Sequence, residues 1–312
     1  MSAVVQIPNE GDGRARISLA ELIALRARIG RSRMLPIQSR AGRSGQQSSR
    51  LYGRGMDYAE SRVYQPGDDV RRLDWRLTAR SGKLHTKLFQ EDREASLLIL
   101  LDTHASMRFG TRIRFKSVQA ARVAAAAAWY AVRAGERVGV MAFGQVQHLL
   151  RPQPGPRGAL ALCGAVAAWD ALPPTSQLES LADALARASR VLHGASRVLL
   201  ISDGFSCGPT ARQRLLDLTS RAGVSVLVVA DPLELAMPPA GRYPLEHEGE
   251  RREVLLHTQR QRGDFQRAMG AGPARLGELA ASLGLRCNTI DTTADPLDAV
   301  TTLLGVARRG VR

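Results

Sequence analysis

The chain predicts an α/β fold with a mostly parallel sheet covered by helices on both faces. Three observations support this. The continuously apolar run 97–101 and the largely apolar runs 198–202 and 224–230 suit buried strands. Between them lie segments with helical spacing of apolar residues, the longest being the Ala-rich stretch 116–134. Strand and helix alternate from residue 97 to the end, the order that builds a parallel sheet.

Taken in order, residues 1–16 are polar and Gly-rich and read as a flexible tail. Ser18-Leu-Ala-Glu21 has the form of a capping box, and the apolar stripe after it predicts a helix to about residue 29, closed by Gly30. Residues 22–56 hold eight Arg and no acid, and the Gln, Ser and Gly of the second half suggest an exposed loop. A dense mixture of charges, aromatics and Gly follows to residue 94, with a strand expected at 86–89. After the run 97–101 and the helix 116–134, strands are expected at 137–143 and 146–150 around a Gly144-Gln145 turn, giving one antiparallel strand. Helices at 157–169, 178–192 and 211–222 interleave with the two remaining buried runs. The stretch 231–258 is irregular with a hairpin, and helix 274–283, strand 285–290 and helix 295–307 finish the chain. The expected division is 1–16 as tail, 17–95 as an N-terminal segment packed on the main domain, and 96–312 as that domain.

With 312 residues and 44% apolar content, the chain can bury a sizeable core. Lys plus Arg number 44 against 29 Asp plus Glu, a net +15, and the only lysines are Lys83, Lys87 and Lys116. Such a balance is compatible with nucleic acid, an anionic membrane, an acidic protein, or simply a solvated Arg-rich surface. Cys163, Cys207 and Cys287 are widely spaced and odd in number, which argues against a disulfide framework or zinc site and fits a reducing compartment. No secretory segment opens the chain, and the longest apolar stretch, 123–132, is too short to span a bilayer. A cytoplasmic protein is expected.

In an open α/β sheet, ligands bind at the carboxyl ends of the strands. Two apolar runs end there in Asp102-Thr-His104-Ala-Ser106 and Ser202-Asp203-Gly204, and Pro173-Pro-Thr175-Ser176 adds hydroxyls between them. Carboxylates and hydroxyls converging from separate loops could hold a hard cation such as Mg²⁺. The order of elements from residue 97 to 307 resembles a von Willebrand factor A domain. That family's metal-ion-dependent adhesion site has a D-x-S-x-S loop, a Thr in a second loop and an Asp in a third. By position the resemblance implies Asp102, Ser106 and Asp203 as site residues, with Thr175 or Ser176 from the second loop. His104 stands where the family has its first Ser, and imidazole prefers softer ions than Mg²⁺. The competing arrangement is a metal-free polar rim held by hydrogen bonds between Asp and hydroxyls.

The block from Gly55 to Leu84, containing Arg62-Val-Tyr64-Gln-Pro66-Gly67-Asp68-Asp69-Val-Arg71-Arg72-Leu-Asp74-Trp75 and Arg80, closely resembles the signature of the bacterial domain of unknown function 58 family. Asp231-Pro232-Leu233-Glu234, with Pro238 and Gly241, matches a second block of that family. The resemblance spans about 17–307 and is to the short soluble form. It implies a non-catalytic adaptor that works with a MoxR-type AAA+ ATPase in assembly, remodelling or metal insertion of client proteins. Within the first block, Asp57, Glu60, Asp68, Asp69 and Asp74 interleave with Arg62, Arg71, Arg72, Arg76 and Arg80, which suggests a buried ion-pair lattice floored by Tyr64 and Trp75. Such a lattice would serve either as scaffold or as partner surface. Two other functions compete. Nucleic-acid binding through the Arg run 26–54 would be steeply salt-dependent, but Tyr52 is its only stacking residue. Asp102, His104 and Ser106 are triad residue types, yet they share one loop, and no Gly-x-Ser-x-Gly, Walker A or dinucleotide motif is present, so no enzyme is expected.

Overall fold

A computed structural model of the chain describes residues 11–29, 33–34, 56–91, 95–173, 175, 177–192, 196–247 and 250–307. It divides into two units, one of Met1–Ile37 with Ala95–Arg312 and one of Gln38–Glu94.

The larger unit is built on a six-stranded sheet. Its strands are β1 (Ser96–Asp102), β2 (Arg137–Phe143), β3 (Leu149–Gln153), β4 (Ser196–Ser202), β5 (Gly223–Ala230) and β6 (Arg286–Asp291). Their spatial order is β6-β5-β4-β1-β2-β3, with only β3 antiparallel to its neighbour. The winding therefore reverses between β1 and β4, and their carboxyl ends lie side by side at the switch point. This is the von Willebrand factor A-like arrangement that the sequence predicts.

Side-chain alternation along β1 shows how both faces are covered. Leu97, Ile99 and Leu101 enter one core, with α1 (Leu19–Arg28), α2 (Lys116–Arg133), α3 (Gly155–Asp170) and α8 (Pro296–Leu304). Leu98 and Leu100 enter the other, with α4 (Leu181–Val191), α5 (Ala211–Thr219) and α7 (Ala271–Ser282). Successive residues of a strand face opposite ways, so a run without polar interruption fills both cores. Helix α2 is buried nearly all round, because its run of alanines lets α1, α3 and α8 approach it closely.

The expected boundaries hold for most elements, with several corrections. The antiparallel strand runs 149–153 rather than 146–150, so the loop from β2 is longer than a two-residue turn. Helix α6 (Gln259–Met269), opened by the Thr258–Gln261 capping box, follows the irregular stretch and fills a segment for which no element is expected. Helix α8 stops at Leu304, where Gly305 takes a left-handed φ of 64° and ends it. Residues 11–16, expected as flexible tail, are held: Asp12 Oδ1 accepts from the amides of Arg14, Ala15 and Arg16, and the Ile17 amide donates to Asp170 Oδ2. The 1–10 part of that expectation lies outside the described residues. Helix α1 also belongs to the larger unit rather than to a separate N-terminal segment. It buries Leu22 and Leu25 against α2, where Trp129 Nε1 donates to the Leu22 carbonyl at 3.1 Å.

The smaller unit is described over 56–91. Strands Met56–Val63 and His85–Glu91 form an antiparallel hairpin around a short 3₁₀ turn, Val70–Arg72, and a helix, Trp75–Ser81. Pro66-Gly67 makes the predicted reversal: Gly67 has φ 108°, and the Asp68 amide donates to the Gln65 carbonyl at 3.0 Å.

Because α1 is part of the main core, Leu22→Ala should cost about 2–5 kcal/mol, the usual range for a buried Leu truncation. Urea denaturation measures it. An unchanged midpoint would mean that the helix does not contribute to this core.

Candidate functional site

Each parallel strand on the β4 side of the switch point is followed or closed by an Asp, and so is β1. These are Asp102, Asp203, Asp231 and Asp291. Asp102 and Asp203 meet at one edge, as the sequence predicts, because β1 and β4 are neighbours. What each carboxylate contacts differs from a metal shell.

Asp102 is 1% exposed, and both of its oxygens are taken. Oδ1 accepts from the His104 amide at 2.9 Å and contacts His104 Nδ1 at 2.7 Å. Oδ2 accepts from the hydroxyls of Ser202 at 2.6 Å and Ser206 at 2.9 Å. The loop after β1 is tied to the loop after β2 through Thr103, whose hydroxyl donates to the Phe143 carbonyl at 2.7 Å and accepts from the Val146 amide. Gly144, with φ 101°, leaves room for the His104 ring; a Cβ there would stand 2.7 Å from Nδ1.

Asp203 is fully buried, and its Oδ2 accepts from Lys116 Nζ at 2.9 Å. The same ammonium donates to Glu234 Oε1 at 2.6 Å, while Glu234 Oε2 accepts from the Asp231 amide at 2.8 Å. Both Glu234 oxygens thus accept, the arrangement that suits an ionised carboxylate facing an ammonium. Burial pushes the pKa of Glu234 above its ordinary value, against the pull of Lys116. Asp231 in turn caps the turn Pro232–Leu235 through the Leu233 amide, and takes the Thr111 amide and the hydroxyls of Thr111 and Thr292. The Asp231-Pro-Leu-Glu234 block is therefore the second half of the Lys116 seat.

The other site residues fall elsewhere. The Ser106 hydroxyl is buried with no hydrogen-bond partner and does not join Asp102. Thr175 is exposed and donates to the carbonyls of Gln145 and Gln177. Ser176 lies outside the described residues. Among the described residues, no group of three or more His, Cys, Asp or Glu side chains could hold a metal ion. Sequence reasoning missed Lys116, Glu234, Ser202 and Ser206 as members of the rim. A signal for Lys116 was present: it is one of three lysines, and it opens a long helix, where a cation is electrostatically disfavoured.

A family profile described as Protein of unknown function DUF58 matches residues 60–274. The chain belongs to this family. Its similar relatives include uncharacterized proteins of Mycobacterium bovis and Mycobacterium tuberculosis, each 30% identical over 272 residues, covering 85% of this chain and 84% of the relative. The uncharacterized protein YeaD of Bacillus subtilis is 43% identical over 51 residues, 16% of this chain and 13% of that protein. Solved structures similar to this DUF58 chain include the conserved hypothetical protein BatB of Bacteroides thetaiotaomicron. It has 16% identity and a TM-score of 0.43, covering 68% of this chain and 97% of that one. Another is a von Willebrand factor type A protein of Catenulispora acidiphila, with 13% identity and a TM-score of 0.41, covering 72% of this chain and 44% of that one.

The signature block of this DUF58 chain is not the buried ion-pair lattice expected of it. Among the described residues, Arg62 pairs with Asp68 at 2.7 Å, but the other aspartates serve the backbone. Asp69 caps the 3₁₀ turn through the Arg71 amide, and Asp74 caps the helix through the Leu77 amide and takes the Ser61 hydroxyl. Arg71 and Arg80 are exposed, and Trp75, expected as an apolar floor, is 67% exposed at the first position of its helix. Tyr64 is half-buried. The side chains of Asp57 and Glu60 lie outside those described. In the basic run 26–54, Arg26 lies over Trp129 at 5.5 Å and Arg28 pairs with Asp295, both at the surface; residues 30–32 and 35–55 lie outside the described set.

Removing one partner of a buried pair strands the other charge. Lys116→Met should therefore destabilise the fold by about 3–5 kcal/mol, and Glu234→Gln by less, since Asp203 still faces the ammonium. Chemical denaturation gives both numbers, and near-wild-type midpoints would contradict the triad.

His104 gives a pH signature. Burial lowers its pKa, but the hydrogen bond and charge of Asp102, with Asp203 and Glu179 behind, outweigh it and raise the pKa above 6.5. A raised folded value means that the imidazolium's contribution is complete below 6.5 and fades as pH climbs through the raised value. The Tm gap between wild type and His104→Gln should be widest on the acid side of 6.5 and narrow on the alkaline side. A gap independent of pH would show that the ring acts by packing alone.

Proposed function

We propose that this DUF58 chain is a non-catalytic interaction protein whose working surface is the rim at the carboxyl ends of β1, β2 and β4. The carrying observation is that Asp102 is engaged by His104 and by two serine hydroxyls, while the buried Ser106 hydroxyl bonds to neither Asp102 nor His104. The hydroxyls of Ser202 and Ser206 donate to Asp102 rather than to His104, so the imidazole has no serine to activate. Burial pushes the Cys163 thiol up to about 12 and raises Cys207 as well, which disfavours thiolate chemistry at both.

What the rim offers instead is a fixed, partly open surface. A cleft beside Asp102 is lined by Ile17, His104, Arg108, Val146, Trp169 and Leu172, a mixture suited to receiving a partner's side chain. Ala105, Arg108 and Phe205 stand exposed around it. Among the described residues no helix is long and apolar enough to cross a membrane. The partner implied by the family resemblance is a MoxR-type AAA+ ATPase, with a client protein assembled, remodelled or supplied with metal by the pair.

Pull-down of the ATPase by the full chain tests this reading. Ala105→Arg alters the exposed rim, and Arg108→Glu replaces a contact with Asp170, while the partners of Asp102 and Asp203 stay in place. Either should lower recovery about tenfold or more if the rim is a binding hot spot. Recovery equal to wild type for both variants would remove the rim from the interaction.

A further inference from the structure

The site that the fold resemblance assigns to a divalent cation already contains a cation of the chain's own. We propose that the Lys116 ammonium is the resident cation of this rim, and that the chain holds its switch-point loops together without a metal ion.

The seat around Lys116 is complete for an ammonium and poor for Mg²⁺. Nζ reaches Asp203 Oδ2 at 2.9 Å and Glu234 Oε1 at 2.6 Å. The rings of Phe109 and Phe205 flank it, with centroids at 5.7 and 5.4 Å. Aromatic faces attract an ammonium through their quadrupole. They supply no oxygen, whereas Mg²⁺ requires about six oxygens in near-octahedral array. The whole residue is 1% exposed, so bulk water has little access with which to complete a shell.

The second carboxylate, Asp102, is closed to a metal in a different way. Its four contacts come from two hydroxyls, one amide and one imidazole nitrogen, all already oriented toward it. The Ser106 hydroxyl remains buried and unpaired, but a single oxygen does not make a cation site.

The placement also runs against local preference. Lys116 is the first residue of α2, where the helix dipole repels a cation, and Phe115 before it provides no side-chain cap. A residue that violates local rules and is fully buried is held by its tertiary partners. The backbone is shaped to complete the seat: Gly204 has φ 81° and passes so close to Gly272 that a Cβ would lie 2.1 Å from its carbonyl oxygen. Phe205, the next residue, donates its amide to Asp203 Oδ1 and lays its ring over the ammonium. An internal cation also removes the reason for a partner to present a carboxylate, since no metal shell is left to complete.

The test uses the full chain after treatment with a chelator. Mn²⁺ titration followed by electron paramagnetic resonance, with thermal melts in millimolar Mg²⁺ or Mn²⁺, should show no saturable binding and no rise in Tm. Saturable one-to-one Mn²⁺ binding accompanied by a rise in Tm would overturn the proposal. A second comparison is independent of metal. Lys116→Met should lower Tm sharply, and adding Glu234→Leu to it should restore part of the loss by removing one stranded carboxylate. A double variant no more stable than the single would count against Lys116 as the charge that balances this site. Should Lys116→Met fail to fold, the wild-type titration still decides. Neither measurement involves the proposed partner, so failure here leaves the interaction reading standing, and failure of the pull-down leaves this one.

Discussion

The ammonium of Lys116 connects three parts of the chain at one buried point. It starts helix α2, the helix on which α1, α3 and α8 pack, and it joins the end of β4 through Asp203 to the turn after β5 through Glu234. A charge without solvent has to be matched by opposite charge and hydrogen bonds, or the state is lost. Such an arrangement fixes how far α2 extends toward the rim and where the two strand ends stand relative to it. The loop from Phe109 to Thr111 is drawn into the same construction, since Phe109 borders the ammonium and Thr111 binds Asp231.

Asp102 plays the complementary part on the other side of the switch point. An acceptor with four contacts from three loop positions sets the shape of the β1 loop and of the Ser202–Ser206 loop together. The two centres are separated by little more than the step from Ser202 to Asp203, one residue facing each. A partner that pressed on Phe205 would therefore touch the cover of the Lys116 seat, while one that displaced His104 would disturb Asp102. Surface contacts at this rim are linked to the most buried charges of the larger unit by one or two side chains.

In the smaller unit, the described carboxylates act mainly on nearby backbone, whether exposed like Asp69 or buried like Asp74. Carboxylates near exposed backbone amides cap turns and helices, a local arrangement that needs no tertiary partner. Asp68, Asp69 and Asp74 do this, with Arg62 also paired to Asp68, while Arg71, Arg76 and Arg80 stand exposed. Alternation of acidic and basic residues in sequence does not imply ion pairing in space. The spacing of each Asp ahead of its turn was the more informative pattern.

The wound sheet could be read from the chain because strands buried on both faces leave a clear mark: Leu97 to Leu101 has no polar position, and Val226 to Ala230 has none either. The strand-end aspartates followed from it, since carboxyl ends at a switch point must adjoin. Helix α6, rich in Arg and Gln, has no fully buried residue to mark such periodicity and escaped notice, as did the strand Met56–Val63. The partners of the rim carboxylates also lay beyond sequence reasoning. Lys116 and Asp203 are 87 residues apart, and Lys116 and Glu234 are 118 apart. Nothing local distinguishes an aspartate waiting for a metal from one already facing an ammonium. That choice is made by which side chains the packing of α2 brings within 3 Å, because electrostatic matching in a buried site is a property of the assembled surroundings rather than of any segment.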